Sequence, residues 1–316
     1  MLLNEESLAI KVEMIEPVYN VTNKKTGIAK FKVTTPYGIK SVFINDIEVM
    51  KEDGDIYSLP FEHQEGSNIF NISVTDNNDI VAKQSFNWQI NIRYYVPILK
   101  YHHISNELTN SLYEQPELFD EQMKYLHENG YNSITFEQLN DYLLREVELP
   151  PKSIIISFDD GYYDNYTNAF PILQKYGFIG SIGVITGKVE PEGRTKRMYL
   201  KWSEIQTMSA AGIEIVSHSV NHKELDKLND ADLTIEIRDS KTTLEQKLGK
   251  AVKTIIYPYG MENENVIQKA KEYGYEAGRG NVVTSYPSKE GIYNLPAIGI
   301  YRDMGANELK LELDRY

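Results

Sequence analysis

The stretch that most restricts the fold is the apolar run Ser-Ile-Ile-Ile-Ser-Phe at 153–158, which ends abruptly in Asp159, Asp160 and Gly161. Apart from its serines the run is β-branched or aromatic, and it is too short for a helix. It therefore predicts a buried strand of an α/β sheet, covered on both faces. The two aspartates then sit at the carboxyl end of that strand, where α/β folds gather ligands and catalytic groups because loops there vary without disturbing the core. Gly161 supplies the backbone freedom for a turn that aims both carboxylates into one pocket. In isolation the blander reading, an Asp-Asp-Gly turn with solvated carboxylates, is the one to prefer.

The surroundings of this strand repeat its pattern. From Pro97 onward, strand-like segments (97–104, 132–135, 178–186, 213–216, 253–256, 292–300) alternate with segments of helical spacing (116–129, 136–145, 165–176, 203–211, 230–248, 262–273, 307–315). Repeated β-α units with apolar strands predict a parallel sheet, and about seven strands predict an α/β fold that closes as a distorted (β/α) barrel, with an open sheet as the alternative. Residues 1–92 read differently. Short alternating segments at 29–33, 41–45, 56–59, 68–74 and 80–82, separated by polar turns, predict a small all-β sandwich. Tyr57 and Phe61 could face a glycan, but strand aromatics at such spacing more often fill a core. The change of composition at 91–96 marks the junction, giving domains 1–92 and 93–316.

Composition removes several functions. Lys and Arg number 33 against 46 Asp and Glu, a net charge of −13; with that acidity spread along the chain, nucleic acid is excluded as a partner, because phosphate contacts need a basic surface. There is no cysteine, so disulfides, thiolate catalysis and cysteine-based zinc sites are ruled out. No apolar run is long enough to span a bilayer, and Met1, Leu2 and Leu3 followed by Asn-Glu-Glu do not make a signal peptide. The 23 tyrosines suit surfaces that stack on sugars, although many must be core and rim residues.

Six histidines are present: His63, His102, His103, His127, His218 and His222. His63 falls in a turn and His127 near the end of an amphipathic helix, so both read as structural. The other four fall in pairs at predicted strand ends. His218 and His222 are four residues apart, and can reach one ion if the backbone turns helically after the strand. Two imidazole nitrogens and one aspartate oxygen leave positions open for water and substrate, the pattern of a catalytic metal site and not a structural one.

Ser-Phe-Asp-Asp-Gly at 157–161, His-Ser-Val-Asn-His at 218–222 and Tyr-Pro-Tyr-Gly at 257–260, in this order and at these strand ends, resemble the polysaccharide deacetylase family, carbohydrate esterase family four, whose homology domain is named after NodB. The resemblance covers about residues 95–300. It implies that Asp160, His218 and His222 bind a divalent metal, zinc by preference with cobalt or nickel as alternatives. It implies further that Asp159 is the catalytic base and that the Tyr259 backbone amide holds the oxyanion, with Pro258 and Tyr162 on the substrate side. The chemistry agrees: a metal polarises an acyl carbonyl and acidifies water, a free carboxylate takes the proton, and an acid protonates the leaving amine.

The sequence also departs from the family. The last strand, Tyr-Asn-Leu-Pro-Ala-Ile-Gly at 293–299, lacks the histidine that supplies the acid in many relatives. Tyr101, His102 and His103 resemble the branch that deacetylates poly-N-acetylglucosamine, in which a Tyr-His near the start of the domain provides this group. His102 is accordingly the expected acid, and His103 a structural neighbour. The arginine that usually steers the base is missing before 257–260, where Ile256 and Tyr257 stand, leaving Arg279 or Arg302 to replace it. The usual Asp-Trp motif is absent around 275–280. Residues 38–45 and 65–76 resemble the immunoglobulin-like modules found beside catalytic domains of bacterial surface enzymes. The expected function is removal of N-acetyl groups from an acetylated glycan polymer containing N-acetylglucosamine, outside or on the surface of a bacterial cell. O-acetyl or peptidoglycan deacetylation, or glycan binding with little catalysis, are the alternatives. The oligomeric state is not legible.

Overall fold

The computed structural model describes residues 10–17, 21–22, 26–64, 66–92, 96–107, 110–145, 147–195, 198–281, 287–288 and 291–315. The chain divides into two compact units, Met1–Tyr95 and Val96–Tyr316; residues 93–95 of the junction expected at 91–96, and the first residues read for a leader, lie outside the described ones.

Alternation builds the first unit. Along Thr26–Thr34 the residues Ala29, Phe31 and Val33 are buried while Lys30, Lys32 and Thr34 turn outward, as a strand with one wet face requires. One sheet runs in the order Lys11–Glu16, Thr26–Thr34, Ile56–Glu62, Lys51–Glu52. The other runs Val21–Thr22, Val81–Ile92, Gly66–Asp76, Ile39–Ile44, Ile47–Glu48. Their inner faces share one core, with Phe31 and Phe70 edge to face at 5.8 Å. All five anticipated segments fall within or overlap these strands; the Lys11–Glu16 strand was not foreseen. Tyr57 is buried in this core and Phe61 packs on it, 4.9 Å from Phe70; neither is displayed to a ligand.

In the second unit seven parallel strands form one path: Ala277–Arg279, Thr254–Ile256, Glu214–Ser217, Ser181–Val184, Ser153–Phe158, Ile98–Tyr101, Ile298–Gly299. Ile154, Ile155, Ile156 and Phe158 are fully buried, since helices and other strands cover both faces; hence the unbroken apolar run. The path closes through a single segment. Leu295 forms a parallel bridge with Arg279 at one edge, its N–H bonding to Gly278 O at 2.8 Å, and three residues later Ile298 pairs with Leu99 at the other edge. The barrel is therefore distorted, and the expected strand at 292–300 is largely replaced: Ile292–Asn294 is a helical turn and only Ile298–Gly299 is strand. The reason is geometric, because a segment that must cross from edge to edge cannot lie along either one. The Ala277–Arg279 strand was missed; at three residues, two of them small, it carries no periodic signal.

One buried network ties the strand Ile98–Tyr101 to Met304, just ahead of the helix Ala306–Leu313. Tyr101 donates its hydroxyl proton to Gln122 Oε1 at 2.7 Å, and Gln122 Nε2 donates to Glu114 Oε2 at 3.3 Å and to the Met304 carbonyl. Glu114 is 2% exposed, and burial pushes its carboxyl from 4.5 up to about 7, against the hydrogen bonds it accepts. Between those values the folded chain keeps a proton that the unfolded chain has lost, so this contribution is complete below about pH 4.5 and disappears as pH rises through about 7. Glu114→Gln should make the decline of unfolding free energy over that interval shallower, measured by denaturant titration at several pH values; an unchanged slope would show that Glu114 does not carry it.

Candidate active site

Every strand of the path delivers its carboxyl end to one side, and the turn after Ser153–Phe158 separates the two aspartates. Asp160 and Gly161 both take left-handed backbone, at φ 73° and 70°. For the aspartate this costs about 1–2 kcal/mol, and it sends the neighbouring carboxylates to different partners. Asp159 Oδ1 accepts a hydrogen bond from Arg279 Nη2. Asp160 Oδ1 lies 3.3 Å from His218 Nε2 and 3.2 Å from His222 Nε2. Burial alone would raise the Asp159 carboxyl; the Arg279 guanidinium, with His102 and His218, outweighs it and holds the group below the ordinary carboxylate range. Asp160 is held low in the same way, burial opposing and His218 prevailing.

The two histidines reach Asp160 without a helix. Residues 218–222 form a loop with left-handed backbone at Ser219 (φ 64°) and His222 (φ 59°), and the imidazoles stand 4.8 Å apart. What holds this loop is Glu236, a fully buried carboxylate. It accepts from Val220 N–H at 3.0 Å, Asn221 N–H at 2.7 Å and Asn221 Nδ2 at 2.8 Å. Glu236 stands in a wide turn, Ile235–Asp239, inside the otherwise regular helix that spans Asp230 to Leu248. His218 Nδ1 bonds the Ile256 carbonyl at 2.8 Å. That bond takes the proton on Nδ1, which leaves Nε2, the nitrogen facing Asp160, as the one able to ligate a metal.

Asp160, His218 and His222 offer one oxygen and two nitrogens, all within 4.8 Å of one another. With the His218 tautomer fixed, this donor set fits a divalent metal and leaves coordination positions open.

His102 and His103, adjacent in sequence, part company. His102 lines the same cavity of about 120 Å³ as Asp159, Asp160, His218, His222 and Tyr259, with its Nε2 3.9 Å from Asp159 Oδ2. Burial lowers its pKa against the pull of Asp159 and Asp160. His103 points elsewhere: Nδ1 is 2.6 Å from Asp164 Oδ2, and the ring is stacked between Tyr113 at 4.0 Å and Tyr162 at 3.5 Å. Burial, and then the nearby Asp160 carboxylate, push the Tyr162 phenol up. Pro258 is the buried residue of the turn Pro258–Gly260. Within residues 258–261 the Gly260 and Met261 N–H groups bond back to Tyr257 O and Pro258 O and proline has none, which leaves the Tyr259 N–H unspent in the turn. Tyr259 too is left-handed, at φ 60°.

Of the two arginines considered, Arg279 pairs with Asp159, whereas Arg302 Nε lies 3.4 Å from Asp303. Sequence reasoning missed Glu236, Lys100 and Asn281, the last two of which also line the cavity. Lys100 was visible as the one charge in an otherwise apolar strand; Glu236 looked like any polar residue of an amphipathic helix.

A fold and site of this kind are those of a glycan-modifying hydrolase, and comparison with known proteins agrees. The polysaccharide deacetylase family profile matches residues 146–278. The Bacillus subtilis protein YxkH, which its name assigns to the same family, is 32% identical over 216 residues, 67% of this chain and 74% of its own. A Staphylococcus aureus poly-β-1,6-N-acetyl-D-glucosamine N-deacetylase is 27% identical over 208 residues, 63% of this chain and 71% of its own. The structure of the Streptococcus pyogenes deacetylase PplD matches 69% of this chain and 97% of its own, at 29% identity and a TM-score of 0.64. The chain belongs to the polysaccharide deacetylase family and is an enzyme of that class.

Exchanging Glu236 for glutamine preserves shape but turns an amide toward groups that are already donors. Glu236→Gln should weaken metal binding about 10–100-fold while the far-ultraviolet spectrum stays that of the wild type. A metal titration checks this, and unaltered affinity would show that the His218–His222 loop holds itself.

Proposed function

We propose that the chain removes N-acetyl groups from a polymer of β-linked N-acetylglucosamine at or outside a bacterial cell surface. The observation that carries this reading is the division of labour between adjacent carboxylates: Asp160 shared by two imidazoles, Asp159 held ionised by Arg279 and facing His102. Asp160, His218 and His222 would hold a divalent metal, zinc by preference given two imidazoles and one carboxylate. Such a metal polarises the acyl carbonyl and acidifies water.

The rest is done by the protein's own groups. Asp159 takes the proton of the attacking water, and its pairing with Arg279 keeps it unprotonated and oriented for that task. The Tyr259 N–H donates to the acyl oxygen as negative charge develops there, a contribution of about 10²–10³ in rate for a preorganised donor. His102 Nε2 gives a proton to the leaving nitrogen; an amine departs poorly as an anion, and burial makes the imidazolium a stronger acid. The likeness to the Staphylococcus aureus enzyme supports the choice of polymer. The first unit, residues 1–92, we read as an immunoglobulin-like accessory module beside a catalytic domain of residues 93–316.

Acetate release from poly-β-1,6-N-acetylglucosamine, chitooligosaccharides, peptidoglycan and acetylated xylan, with metal content measured in parallel, tests the proposal. Stoichiometric metal without acetate from any of them would sink it. Asp159→Asn should keep the metal and lose turnover; loss of the metal instead would mean that the two aspartates have exchanged roles. His102→Asn should lower amide hydrolysis about 10²–10⁴-fold yet leave hydrolysis of 4-nitrophenyl acetate near the wild-type rate, because that leaving group needs no proton. Equal losses on both substrates would exclude His102 as the acid.

A further inference from the structure

The strand Ile98–Tyr101 carries a charge where its packing offers no reason for one. Lys100 is 7% exposed, nearly as buried as its apolar neighbours, and lines the same cavity as Asp159 and Asp160. Burying an ammonium beside a guanidinium is unfavourable, and a methionine would fill the position without that penalty. Burial, and then Arg279, lower the Lys100 pKa against the pull of Asp159. The amine is nevertheless held in place: Nζ donates to Asn281 Oδ1.

Asn281 faces the turn Pro258–Gly260. Its Nδ2 donates to the Tyr259 carbonyl over a long 3.4 Å. Its backbone packs so closely on Gly260 that a Cβ there would lie 2.3 Å from Asn281 Cβ and 2.8 Å from its nitrogen. The turn whose Tyr259 N–H is unspent therefore leans on Asn281, which Lys100 grips in turn. Left-handed backbone is unfavourable for a bulky residue such as Tyr259, so a turn with nothing to lean on has reason to relax.

We propose that Lys100 is a positioning residue of the deacetylation: through Asn281 it locks the Pro258–Gly260 turn with the Tyr259 N–H aimed into the cavity. The inference rests on the deacetylase reading above. Its logic is that a donor helps the developing oxyanion only if it is already in place, since reorganising the turn during reaction would consume the gain. Lys100 itself does not touch the acyl group.

The test uses the full-length, metal-loaded protein and acetate release from an N-acetylglucosamine oligomer, with wild type alongside. Lys100→Met should lower kcat about 10–100-fold, within the span of losing one such donor. KM should stay within about threefold, metal content should be unchanged, and the melting temperature unchanged or higher because a buried charge has gone. Asn281→Asp keeps an acceptor for Lys100 but removes the N–H given to Tyr259, and should lower kcat similarly. The double variant should be no slower than the worse single one, because both act through one turn. Lys100→Arg should restore part of the rate. An unchanged kcat, a loss confined to KM, or losses that multiply in the double variant would each overturn the proposal. If Lys100→Met does not fold, wild-type kcat in Asn281→Asp does so on its own. Wild type inactive on every acetylated glycan would remove the deacetylase reading, a failure distinct from that of this link.

Discussion

Two carboxylates on consecutive residues, both buried, repel each other and are desolvated together, so neither stays ionised without its own positive partner. The structure meets this constraint with a pair of left-handed residues, Asp160 and Gly161, which turn one carboxylate toward Arg279 and the other toward His218 and His222. Much else at the barrel mouth follows. Arg279 must arrive on the edge strand Ala277–Arg279, and the histidine loop must curl back far enough to share one oxygen of Asp160. The strained backbone at Ser219, His222 and Tyr259 lines the same small cavity or borders it, consistent with strain being tolerated where surrounding contacts over-determine it.

Irregular helix performs a specific service here. The wide turn Asn165–Ala169 directs Asn165 Nδ2 to the His102 carbonyl at 2.8 Å and Asn168 Nδ2 to the Ile104 carbonyl at 2.7 Å. The wide turn Ile235–Asp239 carries Glu236 to the backbone of residues 220–221. Each adds a residue to a helical turn, and each uses the altered direction to hold a histidine-bearing segment by its backbone and leave the imidazole free. The segments that carry His102 and the His218–His222 pair are thus fixed from the helical layer as well as from the sheet.

How much of this was legible depended on whether a residue's role is written in local pattern. The buried strand at 153–158, the β-α alternation and the all-β character of the first unit follow from periodicity alone. Asp159, Asp160, His102, His218 and His222 stood out because they follow apolar strands directly, and the structure brings all five to one cavity. Pattern failed where partners are distant in sequence. Arg279 meets Asp159 across 120 residues and Lys100 meets Asn281 across 181, contacts that only the closed barrel creates. It failed again where geometry is irregular: the expected helical spacing of His218 and His222 proved to be a strained loop, and the strand expected at 292–300 proved to be a crossing segment.

That crossing segment makes the closure of the barrel depend on residues distant in sequence from the strand Ile98–Tyr101. Leu295 rests on one edge strand and Ile298 on the other, so the ring is fastened by four residues that come after the other six strands of the path. During synthesis the first strand, Ile98–Tyr101, can find Ser153–Phe158 early, yet its other flank stays bare until about two hundred further residues have been made. Until then the row of N–H and C=O groups on that flank is an unpaired edge of the kind that recruits foreign strands. Lys100 lies on that edge, and a cation in mid-strand is the sort of residue that discourages such pairing while the clasp is awaited.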